Sequence, residues 1–147
     1  MIDIHEAGPQ QVRGAAELYR EAGYRAAIQP GDRLIVAEAD GRVVGVVRLC
    51  PEEQVTVLRG MQVAAAFQGQ GIGSRLLRAC IPYLDQGEAF CLPYAHLLPF
   101  YSAAGFKVVA NDDLPAFLAQ RLASYLAEGQ QVLAMRRSYS GVGENDR

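Results

Sequence analysis

Residues 63–80 read VAAAFQGQGIGSRLLRAC, and no other stretch of the chain restricts its fold as tightly. An apolar run ends at Val63, and glycines then alternate at Gly69, Gly71 and Gly73. Ile72, Leu76, Leu77 and Cys80 follow at three- and four-residue spacing, so the order is strand, tight turn, helix. Glycine tolerates the dihedrals of such a turn and lets a ligand approach the main chain. The exposed N–H groups and the helix dipole favour an anion such as a phosphate. A plain turn is the simpler reading. Two familiar phosphate loops do not fit. A nucleoside triphosphatase loop needs Gly-Lys-Ser/Thr, which is absent. A dinucleotide fingerprint matches the spacing of Gly69, Gly71 and Ser74, but its acidic residue, here Glu88, should close a strand and instead precedes one.

With 147 residues the chain suits one domain and one core, so residues 1–147 are read as a single domain with 140–147 as a flexible tail. The 14 basic and 16 acidic side chains give a formal charge of −2 and no overall attraction to nucleic acid or acidic membranes. No tract is long and apolar enough to span a bilayer, and MIDIHEAG lacks the basic start and apolar core of a signal peptide. Cys50, Cys80 and Cys91 follow no metal-binding spacing, and no metal is expected. They read as reduced, buried thiols of a cytoplasmic protein.

Residues 1–4 form a short first strand, and residues 9–22 a helix with Pro9 in its first turn and Gly23 at its end. Residues 24–32 are a loop of the kind that lines substrate pockets. Residues 33–39 and 42–50 form a hairpin around Asp40-Gly41, with both strands mostly covered on two faces. A short connection at residues 51–53 leads to a third strand over residues 54–63, in which Gly60 predicts a bulge or a close backbone approach. Pro82 predicts a kink or an end of the glycine-turn helix near Cys80 and Ile81. A strand at 90–95, a short helix at 97–104 with Gly105 as its cap, and a strand at 106–110 come next. A helix capped by Asp112 or Asp113 runs to about Ala127, Gly129 ends it, and residues 131–137 form the last strand. The fold class is α/β, a mixed central sheet with helices on both faces.

Gln68, Gly71 and Gly73, behind Met61-Gln62-Val63, resemble the acetyl-coenzyme A signature of the GCN5-related N-acetyltransferases: Gln/Arg, two free positions, Gly, one free position, Gly/Ala. Some thirty residues on, Phe100-Tyr101-Ser102-Ala103-Ala104-Gly105-Phe106 resembles that family's Tyr-x-x-x-Gly-Phe segment. The resemblance covers most of residues 34–137 and implies an acetyltransferase-type fold that uses acetyl-coenzyme A as cosubstrate. It assigns the backbone of Met61, Gln62 and Val63 to the pantetheine arm. Gln68, Gly69, Gln70, Gly71, Ile72 and Gly73 would cradle the pyrophosphate, with Ser74 and Arg75 beside them. Tyr101 would protonate the departing thiolate.

The implied chemistry is attack of a primary amine on the thioester in a ternary complex, with orientation supplying much of the rate. A tyrosine keeps its proton at neutral pH and can serve as the acid, though Tyr101 also fits an apolar helix face with Leu97, Phe100 and Ala104. Glu53, with Glu52 beside it, and His96 are candidates for the base or a proton relay, each with a plainer structural reading. An acetyl-cysteine route through Cys91 is the less favoured path. Arg75 and Arg78 reach phosphates or are exposed helix charges. Tyr24, Arg25, Arg59 and Tyr125 are the candidate substrate contacts, and Arg59 would suit an acidic substrate group. The acceptor is expected to be a small-molecule or peptide amine, and a homodimer is compatible with the resemblance. The alternative from another class is a non-catalytic acyl-coenzyme A sensor or partner-binding module.

Overall fold

A computed structural model describes residues 1–138, and the expected tail at 140–147 lies outside them. The fold is mixed α/β, strands flanked by helices, and it divides into two compact units, Met1–Tyr83 and Leu84–Arg147. The first holds β1 (Ile2–Glu6), α1 (Pro9–Glu21), β2 (Arg33–Ala39), β3 (Arg42–Glu52), β4 (Val55–Val63) and α2 (Ile72–Leu84). β1 to β4 pair antiparallel in chain order.

The Asp40-Gly41 turn takes the left-handed pair of φ values, 51° and 79°, that matches a hairpin's twist. Beyond it Ala37 pairs with Gly45 but Glu38 pairs with Val43, so Val44 is an extra residue on β3. Val46 then packs with Ala15, Leu18 and Tyr19 of α1. Its neighbour Gly45 points to the opposite face, where a Cβ would lie 3.0 Å from Leu76 and 3.2 Å from Ile72 of α2. The two helices of this unit therefore cover opposite faces of one sheet, as the sequence predicts. Gly45 is what lets α2 sit so close.

Gly60 is the bulge of β4. Val46 pairs with Gln62 but Arg48 with Arg59, which leaves one more residue on β4 than on β3. Gly60 has φ 67°, and a Cβ there would lie 2.6 Å from the Tyr19 hydroxyl, which donates to the Gly60 carbonyl at 2.7 Å. Both sequence readings of this glycine, bulge and close approach, hold.

The most buried charge in the first unit is Arg48, 1% exposed on the α1 side of β3. Nη1 donates to Asp32 Oδ2 at 2.8 Å and to the Ala27 carbonyl at 3.1 Å, and Nη2 donates to the Tyr24 hydroxyl at 2.7 Å. Burial alone would lower the guanidinium's pKa, but the hydrogen bonds it donates to Tyr24 and Asp32 help to more than reverse this, so Arg48 stays charged. Asp32 Oδ2 also accepts from the Gln29 amide at 2.9 Å. The 24–32 segment is thus wrapped around one guanidinium.

The second unit holds β5 (Ala89–Cys91), α3 (Leu98–Ser102), β6 (Lys107–Val108), α4 (Ala116–Ala127) and β7 (Met135–Arg137), with β7 paired antiparallel to both other strands. Its strands are shorter than the apolar runs suggest. Residues 95–97 form a 3-10 turn, and Tyr94 and Val132 make only an isolated bridge. Two helix boundaries also differ. α2 continues through Pro82 to the fully buried Leu84, so the proline forgoes one hydrogen bond of the ladder without ending the helix. α4 is entered through Pro115 with no side-chain cap, because Asp112 and Asp113 are taken up by a separate 3-10 turn, Asn111–Asp113.

Three helices stop in the same way, at the predicted glycines. Gly23 donates to the Arg20 carbonyl and Tyr24 to that of Tyr19; Gly105 and Phe106 do the same to Ser102 and Tyr101, and Gly129 and Gln130 to Leu126 and Tyr125. With φ of 75°, 95° and 87°, these are Schellman endings. The residue after the glycine closes onto the last turn, so Tyr24 rests on Tyr19 at 4.5 Å and Phe106 on Tyr101 at 6.2 Å between ring centroids.

Removing the Asp32 carboxylate leaves a buried, uncompensated guanidinium. Asp32→Ala should lower unfolding stability in guanidinium chloride by about 3–5 kcal/mol, and Asp32→Ala/Arg48→Met should recover most of that. A loss under about 1 kcal/mol would show that the pair does not hold this loop.

Candidate active site

The glycine turn forms between the end of β4 and α2. Gly69 and Gly71 have φ of 79° and 81°, the left-handed region that disfavours side chains. A Cβ at either would meet nothing within 4 Å, so backbone geometry and not crowding calls for glycine. The first α2 hydrogen bond runs from Arg75 N to the Gly71 carbonyl at 3.1 Å. The amides from Ile72 to Ser74 precede it and have no acceptor one turn back. Gln68 Nε2 donates to the Val63 carbonyl at 3.0 Å and ties the turn to the strand end. Ile72 is buried against the sheet while Gly69, Gln70, Gly71 and Ser74 are exposed. One face of the segment is anchored and the other presents main chain. These residues fit a phosphate-bearing cofactor, through backbone rather than side-chain charge.

Arg75 is turned elsewhere. Its Nη2 donates to the Ile2 carbonyl of β1 at 3.0 Å, which ties α2 to the sheet edge. Met61, Gln62 and Val63 are half-buried at the end of β4, where Gln62 and Val63 pair with Val46 and Gly45.

Tyr101, His96 and Tyr125 belong to the second unit. Tyr101 is buried, its ring edge-on to Phe100 at 4.9 Å and to Phe106. The Tyr-x-x-x-Gly-Phe spacing is the spacing of the Schellman ending, which brings Phe106 onto the tyrosine ring. Gly105 also admits Arg137, whose Nε would lie 3.2 Å from an added Cβ and donates to the Ala104 carbonyl at 2.8 Å. His96 is exposed and stacked 6.0 Å from Tyr94, and Tyr125 is half-buried on α4.

In the first unit Glu53 is exposed at the tip of the β3–β4 hairpin, where Glu53 and Gln54 hold φ of 47° and 72°. β3 thus runs to Glu52, past the connection expected at residues 51–53. Arg25 is exposed. Tyr24 is held by Arg48, and Arg59 lies 3.5 Å from Glu52. A cavity of about 340 Å³ is lined by Gly31, Asp32, Arg48, Cys50, Glu52 and Arg59, among others. Arg59 and Glu52 carry separate expectations in the sequence, and Arg48 and Asp32 carry none as site residues. The available signal was a lone arginine in the apolar run of β3, where a charge needs a partner.

All three cysteines are free and buried, and burial pushes the thiols of Cys50 and Cys80 up to about 12 and raises that of Cys91 as well. An acyl-cysteine route needs a thiolate, and Cys91 is held as a thiol.

A family model described as an acetyltransferase (GNAT) domain matches residues 30–108, a little over half of the chain. A comparison with curated proteins gives no match. Among solved structures, the ribosomal-protein-S18-alanine N-acetyltransferase from Escherichia coli superposes with a TM-score of 0.70 at 16% identity, covering 100% of this chain and 99% of that one. N-acetylglutamate synthase from Neisseria gonorrhoeae, complexed with coenzyme A and N-acetyl-glutamate, gives 0.69 at 20% identity over 95% of this chain, which spans only 35% of the synthase's chain. A GNAT family acetyltransferase from Elizabethkingia anophelis with acetyl-CoA bound gives 0.60 at 16% identity, covering 93% and 97%. At these identities the likeness is one of fold.

Burial should also protect the thiols. In native protein at neutral pH, Cys50, Cys80 and Cys91 should resist iodoacetamide for hours and react together once the chain is denatured, as read by intact mass. Rapid labelling of Cys91 in the native state would reopen the covalent route.

Proposed function

Since this chain belongs to the GNAT acetyltransferase family, we propose that it transfers an acetyl group from acetyl-coenzyme A to a primary amine by direct attack in a ternary complex. The observation that carries the reading is the glycine turn. Gly69 and Gly71 hold left-handed backbone with open space where side chains would be, directly before the N-terminus of α2. Main-chain amides and the helix dipole there favour pyrophosphate without a lysine or arginine in the turn itself. The bound cosubstrate supplies the activated acyl group as a thioester.

The chain's own residues do the rest. Gln68 ties the turn to the end of β4 through the Val63 carbonyl. Tyr101 is the proposed acid, its ring held by Phe100 and Phe106 so that its hydroxyl keeps one position. The amine must reach the carbonyl uncharged. Its proton is lost to water, or to Glu53 or His96, both of which are exposed to solvent. The raised Cys91 thiol supports direct attack over a two-step route. The acceptor is a small-molecule or peptide amine.

Two variants test the assignment. Gly71→Ala should weaken coenzyme A binding at least about tenfold by calorimetry, since an L side chain at that φ costs about 1–2 kcal/mol and displaces the cradle. Release of free thiol from acetyl-coenzyme A should depend on an added amine. Tyr101→Phe should slow that release by about 10²–10⁴ with unchanged coenzyme A affinity. Acceptor-dependent release at the native rate in Tyr101→Phe would remove the acid role but keep the activity. Cofactor binding without release across a broad amine panel would favour a sensor.

A further inference from the structure

Arg48 and Arg59 are directly opposite each other in the β3–β4 ladder, on the face that also carries Cys50 and Glu52. Like charges in facing positions are unfavourable in a sheet unless each is countered. The two arginines are countered very differently. Arg48 has a nearly inaccessible carboxylate, Asp32, at 2.8 Å, and a tyrosine hydroxyl and a carbonyl besides. That group is buried and closed to solvent, although Arg48 Nε has no hydrogen-bond partner within it. Arg59 has Glu52 at 3.5 Å, beyond the range of a good charged hydrogen bond, with side chains 25% and 21% exposed. A contact of that length is weaker than the 2.8 Å Arg48–Asp32 pair.

Their settings differ too. Arg59 stands on the rigid strand, one residue before the Gly60 bulge that Tyr19 clamps. Glu52 ends β3 beside the left-handed pair Glu53 and Gln54, at the tip of the hairpin. Of the two, the carboxylate is the one nearer the hairpin tip. Both line the cavity of about 340 Å³ under the 26–32 segment, a volume that suits a small molecule. Along β4, Arg59 is only two to four residues from Met61 and Val63, roughly 7–13 Å at strand rise.

We propose that the acceptor is a small aminocarboxylate, and that Arg59 is the specificity-determining residue that binds its carboxylate in place of Glu52. This rests on the acetyl-transfer reading above. Glu52 holds the guanidinium extended when no acceptor is bound and swings toward solvent when one enters. The incoming carboxylate meets a planar donor pair suited to two parallel hydrogen bonds. Arg48 and Asp32, paired with each other at 2.8 Å, line the same cavity and hold the 24–32 segment over it.

The test compares aminocarboxylates of increasing length with their own carboxamides as acceptors, by thiol release, in the native protein and in Arg59→Gln, Arg59→Lys and Glu52→Gln. The native enzyme should prefer the carboxylate at least about tenfold in kcat/KM, the scale of one charged hydrogen-bonded contact. Arg59→Gln should abolish most of that preference through KM, and Arg59→Lys should keep part of it. Glu52→Gln should lower KM for the carboxylate by freeing Arg59; a rise would mean that Glu52 itself binds the acceptor and would overturn the assignment. Equal use of carboxylate and carboxamide by the native enzyme would also overturn it, leaving acetyl transfer intact. Calorimetric titration with the same aminocarboxylates is the readout independent of turnover. Binding lost in Arg59→Gln without any thiol release would support the pocket while sinking the acetyl-transfer reading.

Discussion

The pairing of Arg48 with Asp32 is the interaction on which the first unit's working parts depend. A guanidinium that is 1% exposed has to be matched almost completely, and the match comes from residues far apart in sequence. Tyr24, Ala27 and Asp32 all belong to the segment between α1 and β2, which has no strand or helix of its own. Besides this charge, the segment is held by Tyr24 and Ile28 packed against the α1 core cluster and by a few turn bonds. The cost of burying Arg48 thus goes into shaping the loop, and the loop in turn roofs the cavity beside β4.

Local chain geometry feeds this network. The Schellman ending at Gly23 delivers Tyr24 onto Tyr19, and the two hydroxyls then serve different strands: Tyr24 accepts from Arg48 on β3, and Tyr19 donates to Gly60 at the bulge of β4. One helix end therefore sets the position of both the buried arginine and the bulge. The same device recurs at Gly105, where it explains a motif that reads as catalytic. Tyr101 and Phe106 must be five residues apart with a glycine between for the ending to close, whatever the hydroxyl does. Spacing alone cannot separate the two roles, since both require it.

The two halves of the proposed chemistry use opposite strategies for binding charge. The phosphate cradle uses backbone amides on an exposed turn, with its nearest arginine, Arg75, engaged by the Ile2 carbonyl. The proposed acceptor side uses side-chain charge in a partly covered cavity, where an arginine lies 3.5 Å from a carboxylate. Backbone dipoles suit a ligand part common to every turnover, because their geometry is fixed by the turn. A guanidinium at the end of a long side chain suits the part that varies.

The sequence by itself determined the features that rest on short-range rules. Asp40-Gly41, Gly60, Gly69, Gly71 and the helix-ending glycines all hold left-handed backbone in the structure, as their residue type and flanking periodicity require. The helices on opposite faces of the sheet and the spacing of the family segments were legible for the same reason. The second unit's strands were read too long, and Pro82 was read as too strong a stop, because edge pairing and burial of Leu84 depend on neighbours that periodicity does not see. Only the tertiary structure decided the pairing of Arg48 with Asp32 and of Arg59 with Glu52, and the facing of the two arginines. Those depend on strand register and on a loop's path, and a charge in a sequence carries no record of which distant charge will neutralise it.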